Sequence, residues 1–198
     1  MEVVSVGVGN GKGALLVNLR AFVEKEHGAD AWDKLVLVMP EADQKMLTGL
    51  PLASGWYPVG PWNRALRAYV ATQRIASTGE AAAIIGIARY IADRDLNTFF
   101  KVLLRARSPE FILARAGSLW DRYFDVGSAG AEEVEKRSWR AWVDAPQGED
   151  KGPGVLTCRY GVVGWLMRAL ELSGVKPKIT ETHCRYRGAP RCEYGVKW

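Results

Sequence analysis

The three cysteines of this chain, Cys158, Cys184 and Cys192, lie together near its C-terminus, and they are the residues best suited to do chemistry. Cys184 and Cys192 flank Gly188-Ala189-Pro190, so a hairpin closed there brings their thiols near each other. A helix packed on that hairpin presents Cys158. Three thiolates lack one ligand for a tetrahedral zinc site, and Glu181 and His183 are the near candidates. Plain strand alternation puts both on the face opposite Cys184, so either needs a bulge or a twist to reach the metal. The alternative is three buried thiols packed as small hydrophobes.

Other chemistry finds little support. Gly7-Val8-Gly9-Asn10-Gly11-Lys12-Gly13 invites a phosphate-loop reading, but only three residues separate Gly7 from Gly11, and Gly13 follows Lys12 where a Ser or Thr is needed for magnesium. A flexible lead-in to a helix explains the glycines better. The chain has two histidines, and His27 falls at a helix C-terminus, where a cation complements the dipole. No Gly-x-Ser-x-Gly elbow, His-Glu-x-x-His helix or close carboxylate pair is present, so no motif points to an enzyme.

The elements that must position the cysteines follow from periodicity. Residues 13–27 place Leu15, Leu16, Leu19, Phe22 and Val23 at helical spacing, with Gly28 as the stop. Shorter helices are predicted over 29–39 and from Pro40, a loop over Leu50 to Pro61, and further helices over 62–76, 80–93, 97–107 and 108–124. Ser108 and Pro109 open the last of these as N-cap and first helical residue. From Ala131 to Trp142 the period is closer to two, which predicts a long strand. A polar turn over 146–153, a buried helix over 155–172 and a hairpin of 176–186 with 191–198 complete the chain. The prediction is a single α+β domain: a helical part over about 12–125, and a part over about 126–198 with a small antiparallel sheet.

Composition sets outer limits. With 48% hydrophobic and 10% aromatic residues in 198, one packed core is affordable and disorder is excluded. No run approaches the roughly 20 apolar residues of a membrane helix, and the N-terminus lacks a secretory pattern, so a cytoplasmic location is expected. A charge of +5 spread singly among acids reads as solvation and not as a nucleic-acid footprint.

The string from Glu181 to Cys192, with Cys184, Gly188, Pro190 and Cys192 at their spacings, resembles the C-terminal signature of the V4R (4-vinyl reductase) domain. Cys158-Arg159-Tyr160-Gly161 resembles the same family's upstream Cys and Gly-rich helix. Residues 22–32 are similar to the opening helices of the wider superfamily joining V4R, haem nitric-oxide-binding domains and TRAPP transport subunits. The chain from Gly55 onward also looks like a family of similar length from myxobacteria and relatives. The V4R resemblance implies Cys158, Glu181, Cys184 and Cys192 as ligands of a structural zinc, with Glu181 favoured over His183. Four protein ligands leave no position for a catalytic water. The haem-binding branch implies a mid-chain axial His and a Tyr-x-Ser-x-Arg clamp, and neither is present, so haem is not expected.

The resulting expectation is a sensory or regulatory domain that binds a small apolar or aromatic ligand between helical body and sheet, near Trp120, Tyr123, Trp139 and Trp142. Its output passes through a protein partner or a homodimer. The alternative is a dimerising scaffold subunit without ligand. An aromatic-lined pocket of roughly 300 Å³ or more would favour sensing, and a filled core with an exposed apolar helix face would favour assembly.

Overall fold

A computed structural model describes residues 7–49, 51–98 and 108–198. Its helical body comprises α1 (Gly13–His27), α2 (Ala31–Leu37), α3 (Glu41–Thr48), α4 (Val59–Thr72), α5 (Glu80–Thr98), α6 (Pro109–Leu113) and α7 (Ala116–Trp120). Two short strands, β1 (Asn10–Lys12) and β2 (Trp56–Pro58), pair antiparallel beside it. The remaining strands are β3 (Ser128–Glu135), β4 (Ser138–Asp144), β5 (Lys178–His183) and β6 (Cys192–Lys197). They form one antiparallel sheet in the order β3-β4-β6-β5, and α8 (Val162–Leu172) lies between β4 and β5 in sequence. This is the α+β class that the periodicity predicts.

Several boundaries differ, each for a physical reason. The run from Ala131 to Trp142 is two strands of a hairpin, not one: the chain turns at Lys136-Arg137, where Arg137 takes φ 61°. No Gly, Asn or Pro marks that turn, so the period of two runs through it unbroken. The predicted helix over 108–124 is two short ones, although Ser108 does cap Phe111 N at 3.3 Å with Pro109 first. The helix α5 continues past Asp93 to Thr98, and the predicted helix over 97–107 lies outside the described residues from 99 onward. Pro61 sits inside the first turn of α4, where its missing N–H has no helical partner to lose.

The glycine-rich start finds its role in packing. Gly13 N donates to Gly55 O at 2.9 Å and Ala14 N to Ala53 O at 3.0 Å, so backbone carbonyls occupy the amides at the start of α1. A side chain on Gly13 would overlap the Leu52 carbonyl. That geometry leaves no open cradle for phosphate.

A continuous hydrophobic core joins the helical body to the inner face of the sheet, running from Leu19 and Leu35 through Leu66 and Ile87 to Ala141, Tyr194 and Val196. The helices α5 and α8 meet closely, and an ion pair spans their outer rim. Arg89 grips Glu171 through two bonds, at 2.8 and 2.7 Å, and Arg168 adds a third at 3.3 Å. The Arg89 bond, followed by that of Arg168, holds the Glu171 carboxyl below its ordinary value. A depressed carboxyl stabilises the fold above its unfolded pKa and loses that contribution as pH falls through the folded value. Glu171→Gln is therefore expected to cost about 1 kcal/mol at neutral pH, solvent screening included, and nothing near pH 3. Urea melts of both proteins at the two pH values check this, and an equal cost at both would refute it.

Candidate functional site

The cysteines converge where the β5–β6 hairpin meets the start of α8. Strand β5 is bulged: Glu181 pairs with Tyr194 and His183 with Glu193, which leaves Thr182 as the extra residue. The bulge turns Glu181 inward with Tyr194 and His183 outward with Glu193. The ligand atoms of Glu181, Cys184 and Cys192 accordingly lie within 4.8 Å of one another. His183, the alternative ligand, instead places Nδ1 3.2 Å from Glu193 Oε2 on the exposed face. Cys158 is fully buried in the π-helical turn Thr157–Gly161 and stands outside that trio.

A buried guanidinium shares this space. Arg185, 2% exposed, donates from Nη2 to Pro153 O at 2.6 Å and to Cys158 Sγ at 3.3 Å, and from Nη1 to Pro146 O at 3.2 Å. The hydrogen bond between Cys158 and Cys192 raises the Cys158 thiol, with burial adding to it, and draws Cys192 down to about 6, with Arg185 assisting. Glu181 Oε1 and Arg185 Nε are buried without a hydrogen-bond partner among the described residues. Two thiols and an unsatisfied carboxylate oxygen at this spacing are a donor set suited to a soft cation.

A second feature lies beneath. A cavity of about 120 Å³ opens between the helical body and the sheet, walled by Ile84 and Ile87 of α5, Trp120, Tyr123, Trp165 of α8 and Tyr194 of β6. Of the aromatics singled out in the sequence, Trp120, Tyr123 and Trp142 reach this wall and Trp139 does not. Trp139 leaves Nε1 buried without a hydrogen-bond partner among the described residues. The Trp142 indole lies across Gly130, with the Arg191 guanidinium 4.9 Å from its ring centre. Sequence reasoning missed Trp62, Trp165 and Tyr194. Alternation along β6 carries the signal for Tyr194, since it shares the inner face with Cys192 and Val196.

The cavity and the cysteine cluster are back to back. Tyr194 lines the cavity and donates from its hydroxyl to Cys158 O at 2.6 Å, while Thr157, in the same π-helical turn, accepts from Trp62 Nε1 at 2.9 Å. At about 120 Å³ the cavity falls short of the roughly 300 Å³ set above as favouring sensing, which is also the lower end for a drug-like ligand. It is near the scale of apolar cavities, roughly 150 Å³, that stay dry and take in benzene.

No family model matches the chain, and no curated protein matches it. Solved structures do. A point mutant of an H-NOX protein from K. algicida, described as Fe(II) unliganded, superposes with TM-score 0.73 at 12% identity, covering 94% of this chain and 95% of that one. An H-NOX protein from S. oneidensis in the Fe(II)NO ligation state gives 0.73 at 11% identity, with 94% and 98% covered. A third, described by the phrase "Modulating Heme Redox Potential Through Protein-Induced Porphyrin Distortion", gives 0.64 at 10% identity, with 94% and 99% covered.

These neighbours correct the expectation of structural zinc without haem: their descriptions name Fe(II) or heme, and they give zinc no support. Missing sequence motifs alone therefore do not separate this chain from haem proteins. The V4R assignment likewise has no match behind it, and the solved structures of similar fold are H-NOX proteins. The residues of the cavity bear on how haem would be held. Among the described residues its wall offers no His, Cys or Met for iron, and no Lys or Arg for porphyrin carboxylates. Its two phenols are engaged, Tyr194 with Cys158 O and Tyr123 with Asp95 and Trp165. This wall does not fit an imidazole-ligated haem. What the neighbours share with this chain over nearly its whole length is the fold of an H-NOX domain.

Proposed function

We propose that the protein is a sensory domain that holds a small apolar molecule in the cavity between helical body and sheet, and passes its presence to a protein partner or a second copy. The observation that carries this reading is the cavity itself, whose apolar walls come from both halves of the fold, so an occupant touches α5, α8 and the sheet together. Neighbours of the same fold described with Fe(II)NO, or bound to the compound IWP-051, support a small-molecule-responsive architecture.

Cavity filling tests the proposal. Ile87, 1% exposed, projects into the wall, and Ile87→Phe would occupy the space with the protein's own ring. Toluene at a hundredfold excess over its Kd is expected to stabilise the wild type by about 2.7 kcal/mol and to leave Ile87→Phe unshifted, read by thermal melting. A wild type that toluene does not shift would sink the sensing reading. The scaffold reading draws on Leu37 and Val38, which stand 71% and 62% exposed at the end of α2, and a dimer by size exclusion that Leu37→Glu abolishes would favour it.

A further inference from the structure

The three cysteines are free thiols, all buried, and two of them face each other across one hairpin. The antiparallel register of β5 and β6 sets Glu181 against Tyr194 and, past the bulge at Thr182, His183 against Glu193. One step further along that register puts Cys184 opposite Cys192. Cys184 holds φ −136° and ψ 120°, so its backbone is still extended there, although His183 is the last paired residue of β5. Directly opposite residues of an antiparallel pair project to one face, with Cα atoms about 4.5–5.5 Å apart. A disulfide takes Cα separations of about 4.4–6.8 Å. The sulfurs of Cys184 and Cys192 lie within 4.8 Å of each other, and side-chain rotation is what brings them to the S–S bond length of about 2.05 Å.

Cys158 also meets Cys192, through a hydrogen bond, and is the competing partner. It is held more tightly. Its N–H donates to Gly154 O at 3.1 Å, its carbonyl accepts from Tyr194 Oη at 2.6 Å, and its sulfur accepts from Arg185 Nη2 at 3.3 Å. Backbone and sulfur are thus engaged together in the π-helical turn, and Cys158 stands outside the close group that Cys184 and Cys192 form with Glu181. Access favours the hairpin as well. Strand β5 is an edge of the four-stranded sheet, and the turn joining it to β6 exposes Arg187 and Gly188. An edge hairpin opens locally at less cost than the whole fold, which lets a small solute reach thiols that are buried on average.

We propose that Cys184 and Cys192 are a redox modification site: hydrogen peroxide joins them in a disulfide that bolts the β5–β6 hairpin, and a dithiol opens it again. In the first half of the step one sulfur attacks peroxide, the O–O bond breaks, and a sulfenic acid and a water form. The second sulfur then displaces the hydroxyl, which leaves as a second water, and the S–S bond closes. Two electrons and two protons pass from the thiols to the peroxide. The site gives the domain a chemical input that is independent of any occupant of the cavity, so it stands or falls separately from the reading above.

Tryptic mapping tests it, because cleavage after Lys and Arg puts each cysteine in its own peptide: Cys158 in 152–159, Cys184 in 179–185 and Cys192 in 192–197. The full chain is treated with hydrogen peroxide at levels that leave its circular dichroism native, then unfolded, capped with an alkylating reagent and digested without reductant. Peptide 179–185 joined to 192–197 is expected as the dominant oxidised product, lighter by the two hydrogens of one bridge, with 152–159 recovered as a capped thiol. Dithiothreitol before capping restores all three thiols. Cys158→Ser is expected to form the same bridge, and Cys184→Ser to lose it. Mapping of the wild type decides the matter alone if a variant fails to fold. A bridge to 152–159, a bridge between two chains, or oxygen added to sulfur with no bridge overturns the assignment. So does a wild type whose thiols all survive peroxide until the helices melt.

Discussion

Gly164→Ala is expected to destabilise the protein by about 3 kcal/mol, although the same change in an unconstrained helix gains about 1 kcal/mol. The sign reversal comes from how α5 and α8 meet. A Cβ built on Gly164 would stand 2.7 Å from Ile85 O, 2.9 Å from Ile85 Cα and 3.0 Å from Ala88 Cβ. Two of those atoms are backbone, so no rotamer change relieves the overlap, and the helices must separate. Separation loosens Ile84 and Ile87 on one side of the seam and Trp165 and Leu166 on the other, all of which line the cavity. The variant should therefore melt earlier and also bind toluene differently from the wild type. Urea denaturation measures the first effect, and a neutral or stabilising result would mean that the seam yields without cost.

The same seam shows how much of the fold was legible. Helical spacing in residues 80–93 and 155–172 identifies both helices and their apolar faces, because burial of one face is written directly into residue order. The Gly164 contact is not written there, since one glycine in an apolar helix looks the same whether it meets a backbone or open space. Local turn chemistry accounts for the other misses. Lys136-Arg137 turns a hairpin without turn-type residues, and the β1–β2 pair forms from a glycine run and a Pro-Gly loop whose pairing depends on partners more than forty residues apart.

For the site, spacing left Glu181 and His183 as alternatives beside the cysteines; Glu181 lies within 4.8 Å of Cys184 and Cys192, Cys158 stands outside that group, and a bulge lies between Glu181 and His183. Arg185 escaped notice because a single arginine beside a cysteine reads as surface charge; only the tertiary fold buries it against Pro146 and Pro153. The absence of haem motifs decides nothing at this distance. The neighbours that resemble the fold share only 10–12% of residues with it, far too few for local signatures to survive.

Asn63→Ala carries the largest expected loss, because one side chain satisfies three backbone groups of a loop that would otherwise be orphaned. Asn63, 3% exposed on α4, donates from Nδ2 to Glu149 O at 2.7 Å and to Gly152 O at 2.9 Å, and its Oδ1 accepts from Gly154 N at 2.8 Å. Each buried group left without a partner costs about 1–3 kcal/mol, so a total of about 4 kcal/mol is expected. Asn63→Asp should be no better, since it keeps the acceptor for Gly154 but sets a carboxylate against two carbonyls. The consequence reaches the cysteines. The same loop holds Pro153, whose carbonyl accepts from Arg185 Nη2 at 2.6 Å and from Tyr186 Oη at 2.8 Å, and Arg185 in turn contacts Cys158. Releasing the loop at Asn63 should therefore expose the thiols to a small alkylating reagent at urea concentrations where helix content is still native. If alkylation and helix loss coincide in the variant as in the wild type, the loop is not an independent latch on the cluster, and the cysteines are guarded by the global fold alone.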